Sequence, residues 1–244
     1  MGKITIQLCD RIIHNVHDKH HPDIQTSYDI LYNTSEIVFE RGKIYGILCK
    51  CGEGGQGITN LLTGNDYIDK EKIHIDGKLY KKGEKISEGW EMGKGFKNLF
   101  LYNKTVKQQI EHALKKSKKN MTVDDIVKKF ELTPERLGCK IFNLSGERWR
   151  ASAAIGYAYG KKIFCFPWLD NVTLENVITT GYALLYADIL RKEDNIIIVP
   201  TAEREILEYI TDEIIELRNP QFHNNQSVLK YLKQHDFLNK FSDK

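Results

Sequence analysis

The sequence has no apolar stretch long enough to cross a bilayer, which excludes a membrane-embedded core. Its opening, Met1 to Asp10, lacks the charged, then apolar, then small-residue order of a secretory leader, so none is expected. No internal repeat is present. Neither sign of charge is in excess: 36 Lys and Arg face 33 Asp and Glu, a formal net charge of +3. That balance gives no general attraction to nucleic acid. Cysteine is sparse and odd in number, at Cys9, Cys49, Cys51, Cys139 and Cys165. Cys49 and Cys51 are one residue apart, the wrong spacing for a zinc knuckle, so reduced thiols of a cytosolic chain are expected.

What is present suits one α/β domain with room for a subdomain: 244 residues, 41% of them hydrophobic. Ile44–Cys49, Ile163–Phe166 and Ile196–Val199 are short apolar runs without alternation, as buried parallel strands are. Pro167 and Pro200 are expected to end the last two. Helical patterns between them imply a mostly parallel sheet. Ile4–Leu8 alternates and Glu36–Phe39 follows a loop, which predicts an antiparallel edge at the N-terminus. His14, His17, His20 and His21 lie on or beside the loop 15–22, read as solvated, with a metal site as the alternative. Residues from about Ile86 to Asn143 form helices, with Thr105 and Thr122 as N-caps. The run Lys115, Lys116, Lys118, Lys119 is read as a solvated helix face, and Ser227–Phe237 as an amphipathic terminal helix.

The first buried run leads into Gly52-Glu53-Gly54-Gly55-Gln56-Gly57-Ile58-Thr59, and a helix follows to Gly64. This is the strand–loop–helix setting of the phosphate loop G-x-x-x-x-G-K-[ST]. Its glycines let backbone N–H groups wrap an anion, and the helix start adds a favourable dipole. Thr59 stands where a hydroxyl holds magnesium. Ile58 stands where the lysine belongs, which forfeits a charge-assisted hydrogen bond of about 1.5–3 kcal/mol. Glu53 adds an acid that repels phosphate.

Four blocks, in order, resemble the ATP-binding subunits of ABC transporters. Arg41–Gly64 resembles the strand, Walker A loop and helix; Asn98–Ile110 the segment after the Q-loop; Leu144–Phe166 the signature motif, its helix and the Walker B strand; Asn195–Leu217 the switch region. The resemblance implies a P-loop NTPase-like α/β fold: a mostly parallel sheet, an antiparallel N-terminal β part and an inserted helical subdomain. It divides the chain into a core of 1–85 and 150–220, a helical subdomain of 86–149, and a C-terminal tail of 221–244. The departures fall on the chemistry. Leu144, Ser145 and Gly146 keep the start of the signature, but Glu147 and Arg148 replace its end. Pro167 and Trp168 stand where the Walker B and catalytic acids belong, and Asp170 serves only if the alignment slips. Thr201 replaces the switch histidine. No glutamine lies between Lys82 and Lys107, with Phe96 near the Q-loop position.

The resemblance implies nucleotide contacts at Gly52, Gly54, Gly55, Gly57, Ile58, Thr59, Ser145 and Gly146. The losses imply a pseudo-ATPase with no catalytic residue, binding ATP and magnesium weakly or not at all. The expected partners are a permease and a second ATP-binding subunit, with no nucleic acid, at the inner face of the cell membrane, where exporter subunits are the nearest analogy. Ser145 is expected to cap the signature helix and face the partner's nucleotide. Trp90–Val106 is expected to dock the permease through Phe96, Leu99, Phe100, Leu101 and Tyr102. A soluble pseudo-ATPase module, and an active hydrolase using Asp170 and Glu175, are the alternatives.

Overall fold

The computed structural model describes residues 2–14, 28–96 and 103–217, with backbone alone at 14 and 28. The histidine loop 15–22, most of the proposed docking segment (97–102) and the terminal helix 227–237 lie outside the described residues.

The three apolar runs form strands β5 (Ile44–Leu48), β9 (Ile163–Cys165) and β10 (Ile196–Thr201). With β8 (Gly89–Glu91) and β11 (Glu213–Glu216) they build a five-stranded sheet in the order β11-β5-β10-β9-β8, every pair parallel. Strand β8 lies within the span 86–149, so the helical part begins only after it. A second, antiparallel sheet has the order β4-β1-β6-β7, from β1 (Lys3–Gln7), β4 (Ile37–Glu40), β6 (Lys72–Ile75) and β7 (Lys78–Tyr80). The expected N-terminal pairing is present, with Ile4 opposite Phe39. A two-stranded hairpin, β2 (Arg11–His14) with β3 (Tyr28–Leu31), completes the β part.

Apart from the partly exposed edge strand β11, the parallel strands are buried on both faces, and alternation divides their side chains between two cores. Tyr45, Ile47, Ile163, Cys165, Ile196 and Ile198 face helix α1 (Gly55–Leu62) and the antiparallel sheet. Ile44, Phe164, Ile197 and Val199 face the helices on the opposite side. There Gly46 lets Leu207 of α7 (Arg204–Ile210) approach so closely that an added Cβ would lie 2.9 Å from it.

Pro200 does not end its strand: it lies inside β10, opposite Ile47. Ile196 donates toward the β9 side, to Lys162, and Ile197 toward the β5 side, to Lys43. By alternation the Pro200 nitrogen faces the β9 side, where β9 has already ended at Cys165, so no ladder bond is lost.

Between β8 and β9 lie α2 (Val106–Ser117), α3 (Val123–Lys129) and α4 (Glu147–Ala158). Thr105 and Thr122 cap α2 and α3 as expected, each through a reciprocal capping box. Of the lysine run, Lys115, Lys116 and Lys118 are exposed, but Lys119 is half-buried. Its Nζ donates to the Tyr157 carbonyl at 2.7 Å and lies over the Tyr157 ring, and desolvation pulls its pKa down to about 8. Helices α5 (Asn171–Thr179) and α6 (Ala183–Lys192) lead from β9 to β10.

Candidate functional site

The loop from Cys49 to Gly54 joins the C-terminal end of β5 to α1, the place a parallel sheet offers a ligand. Gly54 has φ 103°, a left-handed conformation that glycine adopts freely, and it turns the chain into α1 without a side-chain cap. Glu53 is buried and folds back on the loop, its carboxylate accepting from the Lys50 amide at 2.7 Å. It thus serves the turn.

The residues that follow face inward. Ile58 is fully buried and belongs to the core between α1 and the antiparallel sheet. Thr59 is also fully buried, and its hydroxyl donates to the Phe166 carbonyl at 2.7 Å. That bond ties α1 to the end of β9, with the hydroxyl spent on protein.

The residues beyond β9 close over the loop. The Trp168 amide donates to Gln56 Oε1 at 2.8 Å, and its indole N–H donates to the Cys49 carbonyl at 3.1 Å. A Cβ on Gly55 would press on Cys49 Sγ, Pro200 and the Trp168 ring. Thr201, which the sequence resemblance sets in the switch position, is buried and donates to the Leu169 carbonyl at 2.7 Å. Asp170 is exposed and caps α5: it accepts from the Thr173 amide at 2.8 Å and the Thr173 hydroxyl at 3.0 Å. These bonds hold its carboxyl below the usual range. The slipped alignment therefore places Asp170 on a helix end. Glu175 lies on the same helix, exposed.

One residue that sequence reasoning missed sits at the centre of this arrangement. Asp29, in β3, has 1% of its surface exposed. Its Oδ1 accepts from the Gly54 amide at 2.7 Å and its Oδ2 from the Gly57 amide. Burial pushes this carboxyl up from its ordinary value, against the opposing pull of backbone N–H groups at Gly54, Gly57, Ile30 and Gln56. Among the described residues no ion pair reaches Asp29. The available signal was an aspartate among the strand residues Tyr28, Ile30 and Leu31, since aspartate is depleted in strands.

The signature residues form a second region. Ser145 is exposed and does not cap α4: Gly146 holds the N-cap position, in helical conformation, with no side-chain bond. Gly146 lies against Thr180, where a Cβ would clash. Glu147 is buried beneath the exposed serine, accepting from the Thr133 amide at 2.8 Å and pairing with Arg136 and Arg150, each at 3.4 Å. Arg148 stacks on Trp149 instead. Ser145, Gly146, Glu147, Arg150, Thr180 and Tyr182 line an open cleft. Phe96 packs edge-on among Trp90, His112 and Tyr159, so Trp90 and Phe96 belong to the interior, whatever 97–102 contact. Among the described residues no cluster of metal-ligating side chains is present, and no helix is long and apolar enough to cross a membrane.

No family model and no curated protein matches the sequence. Solved structures do match. A nucleotide-free ATP-binding cassette from an ABC transporter is 12% identical, with 89% of this chain and 88% of that one covered and a TM-score of 0.60. An ABC-transporter cassette in its ADP conformation gives 12% identity, 89% and 87% coverage, and 0.60. An ATP-binding subunit of an ABC transporter gives 13%, 87% and 85%, and 0.58. At such identities the likeness is one of fold. The chain has the P-loop NTPase-like α/β fold of these ABC-transporter ATP-binding cassettes.

Proposed function

We propose that this chain is a non-hydrolysing ATP-binding-cassette subunit of an ABC-type transporter. In this reading it works beside a permease and an intact ATP-binding subunit at the inner face of the membrane. The observation that carries the non-hydrolysing part is Trp168. By the sequence resemblance it stands in for the acids, and its indole bonds the loop after β5, while Ile58 is buried in the core and the Thr59 hydroxyl bonds inward. Phosphoryl transfer needs a cation, a metal ligand and a group that positions water, and they act as a unit. The cassette fold and the exposed Ser145 beside Gly146 support a contribution to a partner's nucleotide. Trp90–Val106, of which 97–102 lie outside the described residues, is the segment assigned to contact with the permease.

Two measurements test this. Phosphate release by the purified chain with magnesium and ATP should stay at background, and calorimetry at millimolar ATP should give no clear isotherm. Turnover abolished by Asp170→Ala would revive the hydrolase alternative. In membrane fractionation the chain should sediment with a permease. Recovery wholly in the soluble fraction would favour the soluble regulatory module.

A further inference from the structure

We infer that this phosphate loop keeps a working anion cradle whose resident ligand is the chain's own Asp29 carboxylate, carried on the β2–β3 hairpin. The cradle is built from the loop's backbone. Gly54 and Gly57 point their amides at two different oxygens of one carboxylate, at the start of α1, as such loops point amides at a phosphate. No cation neutralises Asp29 among the described residues, so these amides and the helix dipole are what hold a buried charge there. A single negative charge also suits a loop whose lysine position is the buried Ile58.

The hairpin is fitted to this seat. Ile13 stands opposite Asp29 in the hairpin, and Leu31 shares their face. A Cβ on Gly57 would touch Ile13, Leu31 and Asp29 Oδ2 together. The Ile30 amide donates to the Gly52 carbonyl at 3.1 Å. At the far end Arg11 bonds Asp66 at 2.8 Å and the buried Glu71 at 3.2 Å, which pins β2 to the turn after α1. Phosphate can enter only where this carboxylate leaves.

The test uses inorganic pyrophosphate as probe on the full chain. Asp29→Ala should melt below the wild type in phosphate-free buffer and recover part of the loss with millimolar pyrophosphate. The Gly54 and Gly57 amides should become protected as it binds. The wild type should show no response. A folded Asp29→Ala protein that ignores pyrophosphate overturns the inference, as does pyrophosphate binding to the loop of the wild type. If the variant does not fold, hydrogen exchange of the wild type decides. Slow exchange at Gly54 and Gly57, unchanged by pyrophosphate, upholds the seat, and fast exchange overturns it. The inference concerns the loop alone, so its failure leaves the non-hydrolysing reading intact, and ATP turnover sinks that reading separately.

Discussion

The Trp168 indole N–H donates to the Cys49 carbonyl across 3.1 Å, fastening the turn after β9 to the turn after β5. Its backbone amide donates to Gln56 in the first turn of α1. One residue thereby ties together the turns at the C-terminal ends of β5 and β9.

Replacing Trp168 separates packing from hydrogen bonding. Trp168→Phe keeps a ring and loses the indole donor, so urea denaturation should show a loss of about 1 kcal/mol. Trp168→Asp removes the ring as well and should cost about 3 kcal/mol. Neither variant should release phosphate from ATP. Turnover by Trp168→Asp would mean that one carboxylate is all the site lacks.

Ile58→Lys should not restore activity. The side chain at 58 is fully buried among apolar neighbours, so an ammonium there has no water and no partner. The expected loss of stability is about 3 kcal/mol or more, against about 1 kcal/mol for Ile58→Val. Equal midpoints for Ile58→Lys and the wild type would show that the lysine escapes toward the loop.

Much of this fold was legible because it follows from periodicity. The three unalternating runs became adjacent parallel strands, Ile4–Leu8 found Phe39, and both threonine caps closed capping boxes. These are local signals, settled by neighbours in sequence. The contacts of the candidate site were not legible. That Thr59 donates to Phe166, and that Asp29 seats on Gly54 and Gly57, depends on pairs 107 and 25 to 28 residues apart. Such pairs leave no spacing to read. Pro200 misled because strand termination depends on which neighbour the missing N–H faces, and that is a property of the sheet. Ser145 misled because Gly146 had already entered the helix.

Thiol labelling should report the closed loop. Burial, then the charges of Asp29 and Glu53, push the Cys49 thiol up to about 12, and burial raises Cys165 as well. Both should resist alkylation in the native protein at neutral pH, while exposed Cys51 reacts. Desolvation also raises Cys51, so its labelling should quicken only at a more alkaline pH than an ordinary free thiol needs. The sign for stability follows. A thiol whose folded pKa is raised favours folding below the unfolded pKa, and that contribution is lost as pH rises toward 12. Peptide mapping after timed alkylation checks the order, and equal rates at Cys49 and Cys51 would mean that the loop stands open.

Glu147, in the segment that resembles the signature motif, has its charge met within the chain. A carboxylate at 147 beside a partner's triphosphate would be repulsive if it stood free, which favours Glu147→Gly as an activating change. In the structure Glu147 is buried and accepts from the Thr133 amide, with Arg136 and Arg150 paired to it. Its charge is compensated within the chain, and Arg150 is itself buried. Glu147→Gly therefore leaves a buried guanidinium short of its partner and should cost about 2–3 kcal/mol, discounted because Arg136 is half exposed. Glu147→Gln keeps an acceptor for Thr133 and should lose less. Ser145 is different, because it is exposed and caps nothing, so Ser145→Ala should leave the melting temperature unchanged. In a complex with a competent ATP-binding partner, Ser145→Ala should lower the ATPase rate several-fold. Glu147→Gln should change that rate less than Ser145→Ala does, since its carboxylate already faces Arg136, Arg150 and Thr133. An unchanged rate for Ser145→Ala in a verified complex would restrict this chain to a scaffold, and a rise with Glu147→Gln would show that the carboxylate reaches the partner's nucleotide after all.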